Sequence, residues 1–183
     1  MATDIKAKRF TDGTAAAATV IAAAQTLGGA GNMTLAGTAA TFGGTNLGQK
    51  ITLVSGGNIS AVTFTITGTD PTGASQSEDL TGPNASTVTS TKYYNTITQI
   101  AASGAVGTNT SSGVAADQGG TLFAGRTRVR GMHAVNAGAG TILFNNSSID
   151  GSEILDDGMV FDSGAFIKVN VGVITGLTVF FDG

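Results

Sequence analysis

Cysteine and tryptophan are absent from the 183 residues, histidine occurs once, and proline twice. Without cysteine there are no disulfides, thiolate metal sites or thiol nucleophiles, so stability must come from packing, hydrogen bonding and assembly. The composition is equally indifferent to redox compartment. Charge is scarce too: 11% of residues are Asp, Glu, Lys or Arg, with 9 basic against 12 acidic, a net charge of −3. A nucleic-acid partner is therefore not expected, since displacing counterions from phosphates needs Lys or Arg in excess along one face. Lys6, Lys8 and Arg9 precede an apolar stretch at 15–24, the outline of a secretory signal, but Asp4 and Asp12 flank the charges and Thr19 interrupts the run. With no longer apolar run elsewhere, neither a signal peptide nor a transmembrane helix is expected, and no membrane partner.

Small residues are what the chain does contain. The 28 glycines, with abundant Thr, Ser and Ala, suit short strands and tight turns better than long helices. Mean hydropathy is positive. With so few charges to keep copies apart, part of the surface is expected to be covered by a partner.

The clearest local pattern is Val62-Thr63-Phe64-Thr65-Ile66-Thr67, apolar residues alternating with threonines as on a strand with one covered face. Asp70-Pro71-Thr72-Gly73 then predicts a turn, with Pro presetting φ and Gly tolerating a positive one, and hence a hairpin. Ile51 and Leu53 mark an earlier strand; 87–91 and 94–100 continue the sheet. Further strands are expected at 126–132, 141–144, 165–173 and 177–181, with Ala165, Ile167 and Val169 on one face and Leu177, Val179 and Phe181 on another. The single helix candidate is 14–27, rich in Ala and ended by Gly28-Gly29. It lacks a polar face, and Thr19-Val20-Ile21 equally favour an extended arm. Nothing between the strands could serve as a crossover helix, which disfavours α/β folds. The expected fold is all-β: antiparallel β-sandwich or barrel-like modules with an extended or partly helical N-terminal arm. The expected divisions are an arm and first strand at 1–45, a β module at 46–118, and a C-terminal β module at 119–183, possible as one continuous domain with the preceding one. The last boundary closes a stretch, 104–120, with few bulky side chains.

Candidates for chemistry are few. His133 follows the basic strand, and catalysis would need an oriented partner and a nucleophile that the sequence does not supply. There is no Gly-x-Ser-x-Gly elbow, no phosphate-binding loop and no dinucleotide-binding glycine spacing. An enzyme is not expected, nor a cofactor. Asp150, Glu153, Asp156, Asp157 and Asp162 form the best candidate metal loop, for Ca²⁺, although Asp150-Gly151 and Asp157-Gly158 are ordinary turn pairs and solvated turns are the favoured reading. Arg126, Arg128 and Arg130 alternate on a predicted strand. They either guard an edge against unwanted pairing or make a charged contact with a neighbouring subunit. With Lys6, Lys8 and Arg9 they are the interface candidates.

Several stretches resemble a group of tailed-bacteriophage virion proteins. Ile21-Ala22-Ala23-Ala24-Gln25-Thr26-Leu27 and Gly31-Asn32-Met33-Thr34-Leu35 look like their start. Similarity continues through Ile51-Thr52-Leu53, the run at 62–70 and Thr81-Gly82-Pro83-Asn84. Gly158-Met159-Val160-Phe161-Asp162-Ser163-Gly164, with two closing strands, is similar to a common ending of such proteins. The resemblance implies a small β-rich structural subunit of the capsid decoration or cement type, often oligomeric, and no catalytic residue. The expectation is a protein made in the host cytoplasm that binds the major capsid protein on the capsid exterior, with a homotrimer favoured. A tail, baseplate or fibre-associated subunit is the alternative. A carbohydrate-binding β-sandwich for host attachment is the third reading, for which Tyr93-Tyr94 are the aromatic residues at hand.

Overall fold

A computed structural model describes residues 4–136, 138, 140–146, 152–155, 158–161 and 164–183. Its first strands are β1 (Lys6–Phe10), β2 (Ala17–Leu27) and β3 (Gly31–Asn32), followed by a 3-10 turn at Gly37–Ala40. Next come β4 (Gly48–Ser55), β5 (Thr63–Thr69), β6 (Ser75–Thr81), β7 (Thr87–Thr89), β8 (Thr96–Ala102) and β9 (Val106–Phe123). The last are β10 (Thr127–Asn136), β11 (Ile142–Asn146), β12 (Ser152–Leu155), β13 (Gly158–Phe161), β14 (Ala165–Asn170) and β15 (Ile174–Asp182). They form three antiparallel sheets, one curled into a half-barrel. One sheet runs β1-β15-β10-β13-β12. Another runs β11-β14-β9-β4-β7, with β2 also paired to β9, and the third runs β3-β8-β5-β6.

The alternation at 62–67 produces β5: Phe64 and Ile66 are fully buried while Thr63 and Thr65 face outward. The turn after it is built as expected. Gly73 N–H donates to the Asp70 carbonyl at 3.0 Å, Gly73 has a φ of 88°, and Asp70 Oδ1 accepts from the N–H groups of Thr72 and Ala74. These bonds, with one from the Thr72 hydroxyl, outweigh burial and hold the Asp70 carboxyl below its ordinary pKa.

The segment 14–27 is extended and not helical. Its β-branched Thr19-Val20-Ile21 suits a strand, and a helix would have had no polar face to turn to water. Ile21 and Ala22 are both fully buried, although neighbours in a regular strand face opposite ways. Register shifts between β2 and β9 allow this. Beyond β2, the 3-10 turn seals the other edge, with Ala36 N–H donating to the Ile21 carbonyl at 2.7 Å.

The stretch at 104–120 is the most consequential. Low in bulky side chains, it forms most of β9, the longest strand. At two of its glycines backbone approaches too closely for a side chain: a Cβ on Gly120 would meet the carbonyl oxygen of Asn46, and one on Gly113 that of Ala17. Two apolar cores lie along this strand. Val114 belongs to the first, with Ile51, Leu53, Phe64, Ile100 and Tyr94. Leu122 belongs to the second, with Phe10, Phe161, Ile167, Leu177 and Val179. Residue 118, the expected module edge, therefore lies within a strand that both cores share.

Between β1 and β2 the chain is pinned by a polar clasp built on the buried Gln49 and Gln118. Asp12 Oδ1 accepts from Gln118 Nε2 at 2.6 Å and its Oδ2 from Gly172 N–H at 2.6 Å. Gln118 Oε1 accepts from Gly13 N–H at 2.8 Å, and Gln49 Nε2 donates to the carbonyls of Thr14 and Ala115.

Candidate functional site: a charged cavity and an exposed apolar face

Strand pairing decides where the basic residues point. In β1, Lys6, Lys8 and Phe10 stand opposite Phe181, Val179 and Leu177 of β15, on the covered side of that sheet. The two lysines therefore fold back onto their own chain. Lys6 Nζ donates to the Gly183 carbonyl at 2.6 Å and lies 5.3 Å from the Phe123 ring centre. Lys8 Nζ donates to the Thr121 carbonyl at 2.7 Å and lies 5.8 Å from the Phe10 ring centre, and burial lowers its pKa. Arg9 stands opposite Thr178 and is exposed on the outer face.

Arg126 precedes β10, and a register shift between Val129 and Gly131 sets Arg130 out of the ladder. Strict alternation along one strand therefore does not hold. The three arginines nevertheless meet Lys6 around one cavity of about 480 Å³, with Asp4 and Asp182 as its acidic members. Arg130 Nε pairs with Asp182 Oδ2 at 3.2 Å, and Thr127 Oγ1 donates to the Asp182 carbonyl at 2.8 Å. Lys6, distant in the sequence, thus joins the three arginines in one charged site, while Lys8 and Arg9 lie outside it. Asp4, two residues from Lys6, is named in the sequence only as a flanking charge, and Asp182 is not signalled there because only the pairing of β1 and β10 with β15 brings it to the cavity.

The opposite face of this sheet is exposed. Register places Ala7 and Arg9 of β1, Thr178 and Phe180 of β15, and His133 and Val135 of β10 on the outer face of one sheet. Among the described residues, the exposed large hydrophobics are Ile5, Met132, Val135, Leu143 and Phe180, from 38% exposed for Phe180 to 64% for Ile5. Met132, Val135 and Phe180 lie on β10 and β15 of this sheet, Ile5 just before β1, and Leu143 on β11 of another. The module built on β3 to β8 contributes none.

His133 lies within β10 rather than at a strand end, exposed and opposite Thr178. Of the candidate Ca²⁺ loop, Asp150, Asp156, Asp157 and Asp162 lie outside the described residues, as does the Glu153 side chain, whose backbone pairs with Val160. Among the described residues, no three His, Asp or Glu side chains converge as a metal site would require. Among the described residues, no helix is long and apolar enough to cross a membrane.

No protein-family model, curated protein or solved structure matches this chain.

A second cluster surrounds Asp117. Lys50 Nζ and Lys168 Nζ each lie 3.2 Å from its carboxylate, and Tyr93 donates its hydroxyl to Oδ2 at 3.3 Å. Burial, then the Asp117 charge and hydrogen bond, push the Tyr93 phenol up to about 12. Tyr94 is fully buried, and burial, helped by the Glu78 charge, raises it as well. Raised phenol values mean that the fold prefers the protonated form. The stabilisation is complete below the unfolded value of about 10 and is lost as pH rises through about 12. An alkaline titration followed by tyrosinate absorbance is expected to show less ionisation near pH 11 for the folded protein than for the same protein in urea. Equal curves would contradict the environments described.

Proposed function

We propose that this chain is a non-catalytic structural subunit of a tailed-phage particle, bound to the capsid exterior as a decoration or cement protein. The observation that carries the reading is that Met132, Val135 and Phe180 stand exposed on β10 and β15, strands that also line the Lys6 and Arg126–Arg128–Arg130 cavity, while residues 31–102 expose no large hydrophobic side chain. Apolar side chains flanked by charged groups are what a partner surface requires: burial supplies the free energy, and the charges set register. The resemblance of the strand and turn segments to phage virion proteins supplies the class of particle. The major capsid protein is then the partner for this surface, with sister copies, as a trimer, meeting where capsid subunits join.

The test is to mix the purified protein with undecorated capsids. Wild type is expected to co-sediment with them and raise their melting temperature. The double variant Val135→Ser/Phe180→Ser, on the outer face of adjacent strands, is expected to keep its circular dichroism spectrum and to bind at least about tenfold more weakly. Failure of the wild type to bind would overturn the proposal. Association with purified tails instead would establish the tail-subunit alternative.

A further inference from the structure

A second cavity, of about 210 Å³, opens where the β5–β6 turn, the loop before β8, and strands β9 and β14 meet. Its apolar lining comes from Tyr93 and Phe166, whose ring centres lie 5.6 Å apart with planes tilted by 48°, and from Pro71. Asp70, Gln76 and Lys92 supply polar groups around them. We infer that this cavity binds a single neutral pyranose ring of a glycan. The inference is independent of capsid attachment and uses a different part of the surface.

The aromatic lining is held in place before any ligand arrives, which lowers the cost of binding. The Tyr93 hydroxyl is fixed on Asp117, and Lys50 Nζ lies 5.3 Å from the centre of its ring. Gly119 leaves room for both rings: a Cβ there would lie 2.5 Å from Phe166 Cζ and 3.0 Å from Tyr93 Cζ. Such a surface suits the C–H face of a sugar, which is apolar on one side and edged with hydroxyls.

The polar groups match those hydroxyls. The turn bonds of Asp70 to Thr72 and Ala74 use Oδ1, leaving Oδ2 as an acceptor. Gln76 Nε2 is committed to the Tyr93 carbonyl at 2.6 Å, which leaves its Oε1. Lys92 Nζ donates to the Ser77 carbonyl at 2.7 Å and has further N–H groups to give. One carboxylate and one ammonium balance, which favours a neutral ligand over a phosphate or an acidic sugar. A single carboxylate, already three times an acceptor, is a poor cation site. The volume lies below the ~300 Å³ at which drug-sized pockets begin, so it holds one ring and not a chain of them.

The test is an NMR titration of the intact protein with glucose, galactose, mannose and N-acetylglucosamine, with glucuronate and glucosamine as charged comparators. At least one neutral sugar is expected to give saturable shifts confined to residues 70–76, 92–93 and 119–121. The chain has no tryptophan and Tyr94 is buried, so a parallel change in tyrosine fluorescence would report Tyr93. Phe166→Ala is expected to abolish the response. Should that variant fail to fold, Lys92→Ala, at an exposed residue, is expected to weaken binding about tenfold. The inference is overturned if no neutral sugar saturates the site up to about 100 mM, if only the charged sugars bind, or if Lys92→Ala binds as wild type does.

Discussion

Gly113→Ala is expected to lower the stability of the protein by about 3 kcal/mol, read as a fall in the urea midpoint at unchanged slope. A Cβ at this position would overlap the Ala17 carbonyl oxygen and lie 2.6 Å from the Ala18 carbonyl carbon. Both obstructions are backbone, so no side chain can swing aside. The strain must displace β2 from β9, and with it Ile21 and Ala22, which are fully buried against the first core. Re-exposing an isoleucine costs about 1.5–3 kcal/mol, a large part of the 5–15 kcal/mol typical of a domain. Gly107→Ala is the control on the same strand. Nothing lies within 4 Å of its added Cβ, so the change is expected to stay within about 0.5 kcal/mol. Equal losses at the two positions would refute the contact-based account and assign the cost to strand backbone alone.

Asp12→Ala is expected to be of similar size, about 3 kcal/mol, for a different reason. The Asp12 carboxylate accepts from two donors, the buried Gln118 Nε2 and the exposed Gly172 N–H, each at 2.6 Å. Hydrogen bonds to a charged group contribute about 1.5–3 kcal/mol each, and Gln118 is fully buried, so alanine leaves its amide without an acceptor. Asp12→Asn keeps one acceptor oxygen and is expected to cost about half as much. Because the carboxylate joins the arm to β9 and to the turn after β14, limited proteolysis is expected to cut the alanine variant within 11–14 far faster than wild type. A variant as stable and resistant as wild type would show that the clasp contributes nothing net.

Both variants act where the sequence was hardest to read. Gly113 belongs to a stretch whose small residues suggested a boundary between modules, because low side-chain volume is also the signature of a linker. The same residues are required when a strand has neighbours on both edges and rings across its face, as Gly113 has with Ala17 and Gly119 with Phe166. Asp12 read as one of two acids flanking basic residues. Its partners Gln118 and Gly172 are too distant in the chain for any local pattern to connect them. The alanine-rich segment at 14–27 was balanced between helix and extended arm for a related reason. Alanine fits either conformation, and the decision falls to the pairing with β9 and the burial of Ile21 and Ala22 in the first core.

The interface candidates divide in the same way. Residue type alone marked Lys6, Lys8, Arg9, Arg126, Arg128 and Arg130 in a chain so poor in charge. Strand pairing then separated them, folding Lys6 and Lys8 inward, placing Arg9 on the outer face, and gathering Lys6 with the three arginines around one cavity. Tyr93 and Phe166 form a pair no sequence spacing could have suggested, one in a loop beside the third sheet and the other on β14.

Alternation at 62–67, the Asp70–Gly73 turn and the apolar faces of β14 and β15 are local information, written in neighbouring residues, and they suffice for an all-β chain of antiparallel strands. Which strands pair, which small-residue segment becomes the spine of two cores, and which distant charged and aromatic side chains meet are decided only in the tertiary structure. The reason is physical: those outcomes depend on burial and backbone approach between segments far apart in the chain, and the same short stretch of Gly, Ala, Ser and Thr is compatible with several of them.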